Sequence, residues 1–314
     1  MYRHFLLVLF IAFSFVNSFV HAQSNNRLWL DVSETAITPL GERPIVPQKY
    51  RTLQLDFEQM RQTLQTAPLE FTSAANKPLM LSLPLPNGTT ETFAIVEAPI
   101  MEEGLAKRYP YIKTYRGQGT TDRTASVRLD VTQMGFHAMI LSANGSVFID
   151  PYCRNNTAFY NSYYKRDYIN PDKEKFVCLV GGKDNKITRT DGSQPRVVNP
   201  NILQSATPNA ANPQQQQING QLRTYRTVVA ATGEYTAYYG GTKALAMAGI
   251  VTSVNRVTGV YEIDLSVRLV LVANNDAVVY TNADSDPFSN NSSGALIDES
   301  QTTIDNVIGN ANYD

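Results

Sequence analysis

The sequence predicts an α+β protein in two parts, a β-rich domain over residues 23–180 and a unit of strand–helix–strand order over residues 221–314. In the first part apolar residues recur mostly at every second position, whereas in the second they follow helical spacing. Between them, residues 181–220 contain no Phe, Tyr or Trp. Such a segment cannot bury enough apolar surface to offset its ordering entropy. We interpret it as a polar linker, with Arg189 and Arg196 as candidate cleavage points.

Residues 1–22 have the pattern of a cleavable signal peptide. Met1–His4 is a short basic region, and Phe5–Phe15 is a nearly unbroken apolar run. Small or modest residues then precede the expected cleavage before Gln23. Because the apolar run is shorter than the ~20 residues needed to cross a bilayer, a membrane anchor is the weaker alternative. The mature protein is expected to be secreted or extracytoplasmic, with no membrane segment.

The composition is that of a globular protein, with 43% hydrophobic and 18% charged residues. The formal net charge is -1 and the sequence has no basic block. A nucleic-acid-binding protein would carry a basic surface, so that class is excluded.

The clearest strands lie between residues 125 and 150. Val127, Leu129 and Val131 alternate with polar residues, and a second alternating strand follows a turn at Gly135. The Asn144–Gly145 pair is the favoured two-residue hairpin turn. We predict an antiparallel meander with one face buried. Other predicted elements are strands at Tyr50–Leu55 and Phe93–Val96, a helix over Phe57–Thr66, and a turn at Gly117–Gly119.

The second part predicts a βαβ unit. A strand covers Leu222–Ala231, Thr242 caps a helix, and Val267–Ala273 is apolar on both faces, as a central strand would be. Two helix glycines, at 249 and 259, suggest close packing on a sheet.

A second helix is predicted to start near Asp298, with a capping box completed by Gln301. The carboxylate pairs Glu102–Glu103 and Asp298–Glu299 are assigned to helix starts and given no catalytic role.

The sequence supplies few groups for catalysis. Its three histidines are at positions 4, 21 and 137, and the first two leave with the signal peptide. No His-Glu-x-x-His, serine-hydrolase elbow or phosphate-binding glycine loop is present. His137 is expected to be a surface or pairing residue rather than a metal ligand. We therefore assign no catalytic and no metal-binding residue.

A calcium site is an alternative interpretation of residues 282–290. The oxygens of Asp284, Ser285 and Asp286, beside Asn282 and Asn290, are of the kind that Ca²⁺ binds. The same residues are typical of surface turns, which is the favoured interpretation.

Several segments resemble the precursors of bacterial reprolysin-like zinc metalloproteases, which are secreted metzincins. In residues 221–314 the resemblance lies in RTYR (Arg223–Arg226), ATGEYT (Ala231–Thr236), VNRVTGVYE (Val254–Glu262) and NANYD (Asn310–Asp314). In the β-rich domain it lies in YPYIKTYRG (Tyr109–Gly117), GFHA (Gly135–Ala138) and IDP (Ile149–Pro151).

This resemblance implies that residues 23–180 are a propeptide in contact with the catalytic domain, and that residues 221–314 are the first βαβ part of a metzincin-type α/β catalytic domain. It also implies zinc and protein or peptide substrates in the complete enzyme. The family's zinc ligands and general-base glutamate lie in a helix downstream of Asp314. The expected function is the N-terminal portion of a zinc metalloendopeptidase precursor that alone binds no zinc and cleaves no peptide.

The two cysteines leave three alternatives open. The resemblance suggests that Cys178 is a latency thiol that occupies the zinc position in the precursor. Alternatively, Cys178 and Cys153 form a disulfide in an oxidising compartment, or the thiol is buried and inert.

Two rival functions also stay open. The chain is alternatively a secreted propeptide-like protease inhibitor or folding helper. The β-rich half is alternatively a binding or adhesion module unrelated to proteases.

Overall fold

The computed structural model describes residues 28–169, 221–290 and 293–314, and these contain both helices and strands in an α+β arrangement. The expected signal peptide, the linker at residues 181–220 and Cys178 lie outside the described residues. Below, the β-rich domain means residues 28–169 and the C-terminal unit means the described part of residues 221–314.

The β-rich domain is built on one nine-stranded sheet in which all neighbouring strands are antiparallel. The strand order is β1-β2-β9-β8-β7-β6-β5-β4-β3. Its strands are β1 (Trp29–Asp31), β2 (Arg51–Leu55), β3 (Leu79–Pro84), β4 (Thr90–Glu97), β5 (Lys113–Gly119), β6 (Ser126–Thr132), β7 (Gly135–Leu141), β8 (Val147–Pro151) and β9 (Phe159–Tyr164). The predicted meander is confirmed as β6, β7 and β8.

One face of this sheet carries the main apolar core. Helix α1 (Phe57–Leu64) begins after Asp56, whose side chain accepts a hydrogen bond from the Gln59 amide, and it packs on that face. The α1 residues Met60 and Leu64 are buried with Leu129 of β6 and Phe136 of β7. The alternation seen in the sequence therefore correctly predicts which strand residues share this core.

The prediction that only one face of the meander is buried is wrong. Six of the seven residues of β6 and six of the seven of β7 are buried, so both faces of these strands are covered. The cover is helix α4 (Lys243–Leu265), which begins at the Thr242 cap as predicted. The predicted turn at Gly117–Gly119 is also wrong, because these residues are the end of β5.

The C-terminal unit contains the predicted parallel strand pair, β10 (Arg223–Thr227) and β11 (Val267–Leu271), connected through α4. Two further helices are short. Helix α2 (Glu103–Arg108) belongs to the β-rich domain, and helix α3 (Gly233–Tyr238) follows β10 in the sequence. Helix α5 (Ser293–Val307) begins well before Asp298, so Asp298, Glu299 and Gln301 are inside the helix and the predicted capping box is wrong. Glu102 and Glu103 do stand at the start of α2.

No helix among the described residues has the length and apolar character needed to cross a membrane.

Candidate functional site: the interface between the two parts

Helix α4 lies close against the sheet because a glycine faces it. A Cβ placed on Gly259 would lie 2.7 Å from Cγ of Arg128 and 3.0 Å from Cε of Met139. The predicted close packing is therefore confirmed here, although the sheet belongs to the β-rich domain. Gly249 instead faces the ring of Tyr239, where a Cβ placed on the glycine would lie 2.6 Å from Cζ.

A row of polar residues crosses the sheet beneath α4. Thr114 pairs with Asp130, and Asp130 pairs with His137. Asp150 follows on β8, where it pairs with Asn161 of β9. All five residues are buried. Buried polar groups require partners, and α4 supplies several of them.

Asp130 is the centre of the first group of contacts. Thr252 of α4 donates its hydroxyl to Oδ2 of Asp130 at 2.8 Å, and Nδ1 of His137 lies 3.1 Å from the same oxygen. Nδ2 of Asn255 donates to the Leu129 carbonyl at 3.1 Å. The pairing expected of His137 is confirmed, but it is not a surface residue, since only 9% of it is exposed.

Asp150 forms the second group. Its carboxylate forms an ion pair with Arg256 of α4 and accepts a hydrogen bond from the Tyr163 hydroxyl at 2.8 Å. Burial alone would raise the pKa of Asp150, but the nearby Arg256 and the Tyr163 hydroxyl outweigh it and hold the pKa below its ordinary value. Burial and the neighbouring carboxylate raise the pKa of Tyr163. The aspartate is therefore charged and the tyrosine is a neutral donor.

A third group is a chain of alternating charges across the interface. Arg116 contacts Glu70 at 2.7 Å, and Glu70 pairs through both carboxylate oxygens with Arg268 of β11. Arg268 also contacts Glu262 of α4, which in turn contacts Arg128 of β6. The two acids come from different units, and each is held between arginines.

Buried residues of this charge chain come from both units, so its ion pairs depend on both units. Glu70 is 6% exposed, Arg128 4% and Arg268 5%. Burial would raise the pKa of Glu262, but Arg128 and Arg268 outweigh it and hold the pKa below its ordinary value. The Phe71 ring lies beside this chain, with its centroid 5.3 Å from Cζ of Arg268.

The fourth contact is a short backbone pairing with the free edge of β11. Residues 98–112, called here the α2 segment, leave the sheet between β4 and β5. In this segment Met101 forms a parallel bridge with Leu271. The Leu271 amide donates to the Ile100 carbonyl at 2.7 Å, and the Glu102 amide donates to the Leu271 carbonyl at 2.9 Å. β11 is therefore flanked by β10 on one edge and by the β-rich domain on the other.

The α2 segment also shares an apolar core with the C-terminal unit. Leu105 and Ile112 are buried in one cluster with α4 residues such as Met247 and Ile250. At its rim, Arg108 binds both carboxylate oxygens of Asp276, at 2.7 and 3.0 Å. An ion pair between the two units thus lies at the edge of these apolar contacts.

The described residues do not provide a zinc site. They include no group of three or more His, Cys, Asp or Glu side chains that could hold a metal ion. Their histidine, at 137, is paired with Asp130. At the weak calcium candidate, Asp286 accepts hydrogen bonds from the amides of Gly233 and Phe288 at 2.6 and 3.0 Å, as a turn residue would.

The cysteine alternatives remain untested. Cys153 is buried beside Ile37 and Tyr152, and it forms no disulfide with any residue of the described ranges. Cys178 lies outside the described residues, and the latency thiol and the disulfide both stay predictions.

The sequence did not identify the interface residues as functional. Arg128 and Asp130 occupy the polar positions of an alternating strand, the pattern of a solvent-facing side. The available signal was the glycine at position 259, which indicated that α4 approaches a sheet.

Residues 221–314 match the sequence profile of the Metallo-peptidase family M12B Reprolysin-like. The C-terminal unit is thus similar to a family of metallopeptidases, which in general implies zinc and protein or peptide substrates. No curated protein matches the chain.

Proposed function

We propose that the chain is the N-terminal portion of a secreted zinc metalloendopeptidase precursor. In this proposal residues 23–180 are a propeptide-like domain, and residues 221–314 are the N-terminal part of a peptidase domain. The family match supports the second assignment. Zinc-dependent peptide hydrolysis and propeptide-mediated latency belong to the complete protein.

The observation that carries the proposal is the buried interface between the two parts. Domains that are only tethered usually meet through modest, polar surfaces. Here Leu105 of the β-rich domain is fully buried in a cluster with Met247 and Ile250 of the C-terminal unit, and ion pairs such as Glu70–Arg268 are buried too. A domain held in this way against a peptidase unit is suited to a precursor.

Two measurements test the peptidase assignment. The coding sequence after Asp314 is searched for His-Glu-x-x-His-x-x-Gly-x-x-His, which we expect to find. Purified residues 23–314 are analysed for bound metal and assayed on casein, and we expect neither stoichiometric zinc nor cleavage. Chelator-sensitive cleavage by this chain, or a stop codon directly after Asp314, would contradict the proposal.

Export rests on the signal-peptide pattern of residues 1–22. N-terminal sequencing of the protein recovered outside the cytoplasm should give Gln23 as the first residue. Recovery with Met1 retained would contradict cleavage.

The same interface also favours a second candidate, a secreted inhibitor or folding helper. A domain that packs on a peptidase-like unit can act on a related unit in another chain. Added in excess to an active reprolysin-like peptidase, the chain should then reduce its activity. Asp150→Asn, which removes the carboxylate that the β-rich domain presents to an arginine on the helix of its partner, should reduce the effect. No inhibition would remove this candidate.

A further inference from the structure

We infer that the β-rich domain binds the C-terminal unit tightly enough to stay attached when the chain between them is cut. The interaction surface is the α2 segment together with the polar row and the charge chain. This surface fits a partner with an open strand edge that can pair in parallel with the α2 segment. Beside that edge the partner has a helix with Asn, Arg and Glu side chains. This inference does not depend on zinc or on peptidase activity.

The first support is that the contacts are independent of the connection. The bonds described above run between residues 28–169 and residues 221–314, and none involves residues 170–220. A cut in residues 170–220 breaks none of them. The cut does remove the effective concentration that the connection supplies.

The second support is the division of roles among the contacts. Apolar burial of Ile100, Leu105 and Ile112 in the shared cluster supplies affinity. Backbone pairing of the α2 segment with Leu271 fixes the direction of approach. The buried charges, exemplified by Glu70 and its partner on β11, restrict binding to a unit with complementary charges.

The third support is that the C-terminal unit leaves apolar residues uncovered without the α2 segment. The cluster that buries Leu105 also contains Ala246, Met247, Ile250 and Val251 of α4. Exposed apolar patches of this kind favour association. Separation of the two parts is therefore unfavourable even after the connection is lost.

The test uses the whole mature chain with a recognition site for a sequence-specific protease inserted between residues 200 and 201. After complete cutting, size-exclusion chromatography at about 1 μM is expected to give one species containing both pieces, as a submicromolar dissociation constant requires. Two separately eluting pieces would overturn the inference.

Two optical signals report on the two parts separately. Trp29 is the only tryptophan, and its ring contacts Phe136 and Tyr160 in the core of the β-rich domain. Among the described residues, the two longest helices are α4, with 23 residues, and α5, with 15, so the helical circular dichroism is the signal of the C-terminal unit. In urea, both signals of the cut protein should be lost in one transition whose midpoint rises with protein concentration. A helix signal lost well before the Trp29 signal, at a midpoint independent of concentration, would overturn the inference.

Variants identify the surface responsible. Leu105→Ala should weaken the cut complex by about 30-fold or more, the lower range for a buried leucine truncation. Met80→Ala, at an exposed β3 position, is the control and should have no effect. Equal behaviour of the two variants would overturn the assignment to the α2 segment.

A milder pair keeps the test decisive if Leu105→Ala does not fold. Arg108→Gln removes the ion pair with Asp276 and should weaken the cut complex about 10-fold. Its neighbour Lys107 pairs with Glu103 inside α2, so Lys107→Gln is the matched control. If Arg108→Gln binds as tightly as Lys107→Gln, the rim ion pair has no part in binding and the inference is wrong.

Discussion

Arg268 is the residue whose loss should destabilise the protein most directly through charge. It lies between Glu70 of the β-rich domain and Glu262 of α4, and only 5% of it is exposed. Arg268→Met keeps most of the side-chain volume but leaves the buried carboxylate of Glu70 and the partly buried carboxylate of Glu262 without their shared cation. Removal of one partner from a buried ion pair typically costs about 3–5 kcal/mol. We expect a loss of unfolding free energy in that range.

The assay is urea unfolding of residues 23–314, followed by Trp29 fluorescence and helical circular dichroism. The matched control is Arg226→Met, because Arg226 forms an ion pair with Asp314 in which both side chains are substantially exposed. Exposed pairs contribute little to stability, so this control should lose much less than Arg268→Met. A loss for Arg268→Met no larger than the control's would refute the idea that the charge chain stabilises the interface.

The pH dependence provides a second check on the same variant. Arg128 and Arg268 outweigh the effect of burial and hold the pKa of Glu262 below its ordinary value of 4.5. A carboxyl with a lowered folded pKa contributes stability above its unfolded pKa and loses it as the pH falls through the folded pKa. The difference between Arg268→Met and the unmodified protein should therefore be largest at neutral pH and shrink below about pH 4. A difference that grows in acid would contradict this account.

Three further predictions concern the glycine, the aspartate and the cysteines. Gly259→Ala should destabilise the protein by about 1–2 kcal/mol in thermal unfolding, because overpacking against the sheet outweighs a gain of about 1 kcal/mol in helix propensity. Asp150→Asn should lower stability at neutral pH and flatten its decline in acid, since the pKa of Asp150 is held below 3.8 by Arg256; an unchanged pH profile would contradict this. In the complete precursor, the latency-thiol hypothesis predicts that Cys178→Ser releases activity while Cys153→Ser does not. Equal losses of stability without activity would favour the disulfide.

Local patterns predicted the elements well where local chemistry determines them. The alternation of Val127, Leu129 and Val131 fixes which residues of β6 share the apolar core. The Thr242 side chain caps α4 by accepting from the Leu245 amide, as the sequence indicated. Both depend on neighbours within a few residues, which a single sequence displays.

The interface could not be predicted in the same way. Alternation shows that Arg128 and Asp130 share the face opposite the core, but it does not show whether water or protein covers that face. Arg128 is covered by α4, where its partner is Glu262, a residue 134 positions away in the sequence. The start of α5 was missed for a simpler reason: the Asp298–Gln301 spacing of a capping box also occurs inside helices.

The polar row beneath α4 has a consequence for exchanging parts between related proteins. An apolar interface tolerates many substitutions of similar volume, whereas the Asp150–Arg256 pair and the Asp130 contacts with Thr252 and Asn255 are matched group by group. A chimera that joins this β-rich domain to a different helix would bury a carboxylate without its cation. In homologous chains we therefore expect positions 150 and 256 to change together, and functional chimeras to require that α4 and strands β6–β8 be transferred as one piece.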